Sequence, residues 1–404
     1  MDFISDAIVN IGLWLERLLV SAGLAPQAAA LVMTIVGTVV VAFFPLLIVV
    51  FLIWMYRKAS ARIGGRLGPN SSGTWAGPGG IVQPIADVIK MFTKEDIRPL
   101  GIDPVPYNLA PIIVVASAVM VWAVVPFGKG PRMIGADLGI GLFYIMAFSS
   151  ASLVAFLMAG WSSNNKYSTV SAFRATAQLL GYEIPQLVAV LCVVVVAGSL
   201  RMSAIVDAQQ DVILLIALPL PALIFLLASY AEIGSRPFEL LECESELVAG
   251  YQTEYSGMRW GMFYVGEFMG AVAVSALFAT VFLGGWRGPF VDSFPVLGTL
   301  WLVLKILFML LVWTFFQMTL PRLRIDQMLA FNWKFLVPLS LVLLCVLAPL
   351  NHWLVRALPG SDYVWARTGI LLAANVLVFL GTWAVVAIAE RRRTVRPRQV
   401  EVSA

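Results

Sequence analysis

Six glutamates, Glu232, Glu239, Glu242, Glu244, Glu246 and Glu254, fall in one stretch of the chain with Arg236 as the only basic residue among them. Carboxylates crowded together cannot all ionise cheaply, so such a cluster is a candidate for coupled proton exchange near neutral pH. The plain alternative is a solvated acidic loop face, the usual fate of an acidic run. Leu240, Leu241, Leu247 and Val248 are interleaved with the acids and favour burial against other parts of the protein. After the break at Gly234 and Pro237, a helical course would set Glu239, Glu242, Glu246 and Glu254 within an arc of about 120°.

Three more ionisable residues, Glu183, Glu267 and Lys305, interrupt long apolar runs. Each costs roughly 2.5–3.5 kcal/mol at the centre of a bilayer, so such residues face a protein interior or a water path. Glu183 precedes Pro185, which opens the helix backbone near one end of its run; snorkelling to the interface is the alternative. Glu267 and Lys305 lie early in successive runs of opposite direction. That leaves on the order of 10 Å between their depths, which makes them stations and not partners. Structural pairing with other helices is the alternative reading for both.

Other chemistry is excluded by what the sequence lacks. Cys192, Cys243 and Cys345 form no CxxC pair, so neither a disulfide framework nor a cysteine-ligated iron–sulfur cluster is encoded, and they read as small buried hydrophobes. The single histidine, His352, falls in an outer loop on this reading, which excludes paired haem ligands within spans. The glycines of RIGGRLGPNSSGTWAGPGG, residues 62–80, carry no GxxxxGK[ST] and follow a helix, so they read as a turn-rich loop and not a phosphate site.

The elements that must position these residues are membrane spans. With 60% hydrophobic and only 12% charged residues in 404, the chain cannot hide its apolar surface in a water-soluble globule. Runs of about 20 apolar residues recur about nine times, at 31–55, 110–126, 138–160, 177–199, 212–233, 260–283, 299–318, 335–350 and 368–388. The expected fold is all-α: one polytopic membrane domain over 1–404. The eighth run is short and could be re-entrant. Placing the N-terminus outside puts 19 of the 27 basic residues in the inner segments 57–109, 161–176, 234–259, 319–334 and 390–404, as the positive-inside rule requires. The net charge of +4 therefore reads as topology and not as nucleic-acid affinity. Residues 1–30 place Ile11, Leu15, Leu18 and Leu19 at helical spacing and predict a stretch lying on the outer membrane surface. In IVQPIADVIKMFTKE, Ile81, Ile85, Val88, Ile89 and Phe92 make an apolar stripe with Asp87, Lys90, Lys94 and Glu95 beside it, an amphipathic helix too short to span.

The inner segments resemble those of the H subunit of bacterial NADH:quinone oxidoreductase, the family that includes mitochondrial subunit 1 of complex I. The resemblance rests on RLGPN (66–70), GGIVQPIADVIKMFTKE (79–95), GWSSNNKY (160–167), GYEIP (181–185), FELLECESELVAGYQTEY (238–255) and PRLRIDQMLAFNWK (321–334). It implies a membrane component without a redox centre of its own, in the bacterial cytoplasmic membrane, with the C-terminus inside. Quinone, ubiquinone or menaquinone, would be the substrate, and iron–sulfur clusters would lie in partner subunits. The implied partners are the peripheral-arm iron–sulfur and quinone-site subunits and other membrane subunits, antiporter-like ones among them. By the same resemblance Arg66, Asp87, Lys90 and Arg236 line the quinone channel, and Arg322, Arg324 and Asp326 belong to the loop that closes its chamber. Glu183, Glu232, Glu239, Glu242, Glu244, Glu246, Glu254 and Glu267 would form the proton path, with Lys305 as an intramembrane lysine of the family. Tyr56 stands before Arg57 and Lys58 where relatives carry a glutamate, and GSRPFE replaces NRxPFD. The region 351–404, with its ninth span and the basic RRRTVRPR tail, exceeds shorter relatives. Rival readings are the homologous component of a membrane-bound hydrogenase and, more distantly, a free-standing secondary transporter, against which the lack of an internal repeat speaks.

Overall fold

In a computed structural model of the chain, apolar helices pack side by side, and no strand occurs among the described residues, which are 7–23, 25–70, 78–130, 133–241, 244–291, 293–359 and 363–395. Among the described residues, eight helices are long and apolar enough to cross a membrane, and one shorter apolar helix joins them. They are α2 (Pro26–Ile63), α4 (Pro104–Met120, extended by a 3-10 turn to Val124), α5 (Gly141–Ser162), α6 (Lys166–Ala197), α9 (Pro219–Ile233), α11 (Gly257–Val281), α12 (Val296–Thr319), the continuous pair α13 (Ile325–Phe331) and α14 (Val337–Ala357), and α15 (Val364–Val395). This is a multi-pass membrane protein. Short helices connect them: α1 (Ala7–Ser21), α3 (Gln83–Thr93), α7 (Met202–Asp207), α8 (Leu214–Ala217) and α10 (Glu244–Leu247).

Trp122, Trp313, Tyr182 and Phe225 fill the interior, while Leu47, Phe308 and Leu377 point outward, where lipid replaces water as the solvent. Close helix contact needs small residues. At Gly160 a Cβ would stand 2.3 Å from Ala172 Cβ and 2.6 Å from the Ser168 carbonyl, so α5 and α6 can meet only with glycine there.

Several expectations are corrected. The fifth run is a broken helix: α8 ends at Ala217, Leu218 leaves helical geometry, and α9 restarts at Pro219. Pro221 has no N–H to give the Ala217 carbonyl; instead Asn375 Nδ2, from the buried face of α15, donates to it at 3.2 Å. The eighth run is not short, because helix extends back to Ile325 through a π segment at Asn332–Leu336. Residues 325–334 are thus helix and not loop, and His352 lies within α14. Cys192 is buried, but Cys345 is exposed on the outside of its helix; Cys243 lies outside the described residues. Helix α1 packs beside α2, where a Cβ at Gly12 would stand 4.0 Å from Met33 Cε.

Alternating helix directions gather the segments 64–70, 78–103, 163–165, 234–241, 244–256 and 320–324 at one end of the bundle. They are stitched together there. Asp103 N donates to Ser162 O at 3.1 Å, Leu323 N to Pro237 O at 2.9 Å, and Ile97 N to Ser256 Oγ at 2.8 Å. The apolar stripe of α3 (Ile85, Val88, Ile89, Phe92) stays exposed beside this end.

Candidate functional site

The acidic stretch does not run as one helix. Gly234 ends α9 in the left-handed region (φ 79), where a Cβ would meet Leu241 Cδ1 at 2.5 Å. Val248 (φ 63) and Gly250 (φ 69) interrupt the chain again, leaving only the four-residue α10 and a 3-10 turn. The expected 120° acidic face therefore does not form. Tertiary bonds fix the loop instead: Ser171 Oγ donates to Leu241 O at 2.9 Å, and Trp313 Nε1 to Ser235 Oγ at 2.7 Å.

This folding separates the glutamates into two groups. Glu232 and Glu239, together with Glu267 of α11, line one cavity of about 100 Å³ among α4, α5, α6, α9 and α11, large enough for several waters. Ser117, Ser149, Ser152 and Gln186 add polar groups to its otherwise apolar wall. Glu232 accepts from Gln186 Nε2 at 2.6 Å and from Ser149, and Glu183 is near enough to repel it electrostatically. Glu183 in turn accepts from Ser150 Oγ. Consecutive serines of α5 thus hold two carboxylates at neighbouring positions. Glu183 lies near the middle of α6, which begins at Lys166.

At the loop end, Glu239 accepts from Arg236 Nε at 2.7 Å and from Arg322 Nη2 at 2.6 Å. Two guanidiniums therefore clamp one cavity carboxylate. Asp87 pairs with Arg57 Nη1 at 2.5 Å and more loosely with Lys90 at 3.5 Å, which ties α3 to α2. Arg66, Lys90, Arg324 and Asp326 are exposed at the same end.

The second group stands apart from the cavity. Glu246 is exposed and pairs with Arg174 at 2.5 Å. Glu254 accepts from Asn165 Nδ2 at 2.6 Å. Nearby, Tyr107 and Tyr255 stack at 4.2 Å, and burial pushes the Tyr255 phenol above its ordinary value, so it remains a neutral donor to Tyr107 O. Glu244 opens α10, and Glu242 lies outside the described residues. Lys305 is also remote. Its Nζ donates to the carbonyls of Leu283 (2.6 Å), Gly285 (2.9 Å) and Arg287 (2.6 Å) just past the end of α11. Glu267 is about 21 Å from that helix end along the axis, twice the separation expected from span positions.

The residues that the sequence reading missed are the neutral ones. Gln186, Ser149 and Ser150 contact the carboxylates directly, and Gln178, fully buried, donates through Nε2 to both Ala231 O and Phe238 O at 2.7 Å. Polar side chains inside apolar runs were the available signal. Arg57 gave none, as its pairing with Asp87 spans a loop.

Chemically, the arrangement offers carboxylates from separate elements around a space that admits water, with arginines at one end. It suits proton passage between the loop end and the membrane interior. The NADH dehydrogenase family model matches residues 36–348. The chain is similar to the NADH-quinone oxidoreductase H subunit of Dehalococcoides mccartyi (strain CBDB1), with 44% identity over 84% of this chain and 90% of the relative. It is also similar to the proteins of that name from Geobacillus kaustophilus, with 44% identity over 74% and 87%, and Bacteroides thetaiotaomicron, with 39% over 83% and 95%.

Proposed function

The chain belongs to the NADH dehydrogenase family typified by the H subunit of NADH-quinone oxidoreductase, and from this premise we propose that it is the membrane component of a proton-pumping NADH:quinone oxidoreductase that shapes the quinone chamber and begins the proton path. In this reading the chain supplies no electrons and has no catalysis when isolated. Iron–sulfur clusters of peripheral-arm partners reduce a quinone, ubiquinone or menaquinone, held between those partners and the loop end. Other membrane subunits, antiporter-like ones included, receive the resulting charge change. The loop end faces the cytoplasm of a bacterium, the N-terminus faces outward and the C-terminus inward.

The observation that carries this reading is the single cavity shared by Glu232, Glu239 and Glu267. Quinone reduction consumes protons in step with electrons, so a charge change arises at the loop end. Glu239, clamped by Arg236 and Arg322, is the cavity carboxylate placed to feel it. The stripe of α3 beside exposed Arg66 and the Asp87–Arg57 pair offers an apolar route from lipid to that end, while Arg324 and Asp326 flank the last loop before α13.

The test is Glu232→Gln in the assembled complex, reconstituted in vesicles with a pH-sensitive dye. Proton translocation per NADH oxidised should fall by about tenfold or more, the scale of losing a positioned proton-transfer group. Wild-type translocation would refute the path.

A further inference from the structure

Leu47, Phe51, Trp54, Lys58 and Arg62 recur every three or four residues along the second half of α2. At 100° per residue they fall within an arc of about 80°, so a single face of the helix changes character along its length. Leu47 and Phe51 are exposed on the outside of the bundle, where lipid is the solvent. Trp54 comes next, its ring 5.5 Å from that of Phe51 and its Nε1 donating to Gly79 O at 3.0 Å. An indole with its apolar body beside the chains and its N–H bonded toward the loop end belongs at the hydrocarbon boundary. Lys58 lies about 6 Å beyond the tryptophan along the axis, in the headgroup layer, and Arg62 one turn further. Helical side chains tilt toward the N-terminus, here toward the membrane, which returns the Arg62 guanidinium toward the level of Lys58.

No acidic residue occurs between Glu16 and Asp87 in the chain. Asp87 is engaged by Arg57 at 2.5 Å, with Lys90 second at 3.5 Å. Among the described residues, no ion pair engages Lys58 or Arg62. Topology asks for positive charge at this end of a span but not for its alignment under an exposed apolar face. The Asp87–Arg57 pair also anchors α3 beside the same end, where Ile85, Val88, Ile89 and Phe92 add exposed apolar surface.

We propose that Lys58 and Arg62 hold the phosphate of an anionic phospholipid whose acyl chains lie along Phe51 and Leu47. A phosphodiester presents two unesterified oxygens, and an ammonium and a guanidinium are donors only, so each cation finds an acceptor of opposite charge. A zwitterionic lipid carries the same phosphate, but its own ammonium competes for it, and the site therefore favours a headgroup of net negative charge. One lipid molecule covers the apolar face and neutralises the cations together. An apolar partner helix would bury the two charges unpaired, at a cost, and a free anion would leave the face beneath uncovered. The site depends on no quinone chemistry.

The experiment uses the purified, assembled complex in phosphatidylcholine nanodiscs doped with a trace of phosphatidylglycerol or phosphatidylcholine bearing a diazirine in one acyl chain. After illumination, adducts on the stretch from Leu47 to Trp54 are counted by peptide mass spectrometry. Phosphatidylglycerol is expected to label this stretch at least several-fold more than phosphatidylcholine. Lys58→Gln with Arg62→Gln should bring it down to the phosphatidylcholine level, since each basic residue near an anionic headgroup strengthens binding roughly fivefold. The charge-keeping pair Lys58→Arg with Arg62→Lys should restore the preference. Equal labelling by the two lipids in the wild type overturns the proposal, because charge that serves topology alone has no lipid preference. Absence of labelling by either lipid also overturns it and assigns the face to another membrane subunit. Inorganic phosphate, added against chloride at equal ionic strength, should leave the labelling unchanged; its loss would mark a free-anion site instead. Should the glutamine pair fail to assemble, the wild-type comparison still decides.

Discussion

Replacing Gln178 by leucine tests whether the cavity is positioned by a neutral clamp. The Gln178 amide nitrogen commits both hydrogens, one to Ala231 O and one to Phe238 O, each at 2.7 Å. Those carbonyls directly precede Glu232 and Glu239, so one side chain in α6 sets the approach of two cavity carboxylates. The site is fully buried, and no water can replace the lost donor. Neither acceptor is stranded, because Ala231 O also accepts from Gly234 N at 3.2 Å and Phe238 O from Leu240 N at 3.0 Å, so each lost bond costs about 0.5–1.5 kcal/mol. Leucine also removes Gln178 Oε1, which has no partner among the described residues, and this recovers about 1 kcal/mol. Two lost bonds less this gain leave about 0–2 kcal/mol, and since interhelical bonds in membranes average nearer 0.6 kcal/mol, the expected net loss is about 1 kcal/mol or less. Thermal inactivation of the purified complex should move down by about one to two degrees. Proton translocation should fall more than NADH oxidation, because the carboxylates shift while the electron donors lie in other subunits. An unchanged inactivation midpoint together with unchanged translocation would refute the clamp.

Two further outcomes are expected. Asp87→Asn removes the charge that holds Arg57 and should raise the KM for quinone several-fold in steady-state assays with several quinones, since α3 is then no longer tied to α2. Lys305→Met strands the carbonyls of Leu283, Gly285 and Arg287 near the end of α11; with about 1–3 kcal/mol at stake for each stranded group, the yield of assembled complex on native gels should drop sharply.

Much of this architecture is legible from composition. A run of twenty apolar residues has few alternatives to a membrane helix, so the spans at 110–126 or 260–283 follow from local content. The fifth run was legible only in part: Pro219 and Pro221 announce a break, yet not that Asn375 from the far end of the chain would meet it. The glutamates were found by their density, but their division was not readable. It depends on Gly234, Val248 and Gly250 stopping a helix, and on bonds such as Leu323 N to Pro237 O that join distant segments. Lys305 shows the same lesson. Its depth follows from its position in a span, whereas the direction of its ammonium depends on three carbonyls of a loop that hydropathy does not describe.

The junction between Asn375 and the Ala217 carbonyl has a consequence for inheritance. Family similarity as matched ends at residue 348, yet the donor that completes the fifth span lies beyond it, in α15. A backbone carbonyl inside a membrane needs a protein donor. Residues 214–221 and 364–385 thus form one module across the end of the matched region. A chimera that exchanges the last helix for another sequence must carry the broken helix with it, or supply an amide at the same depth.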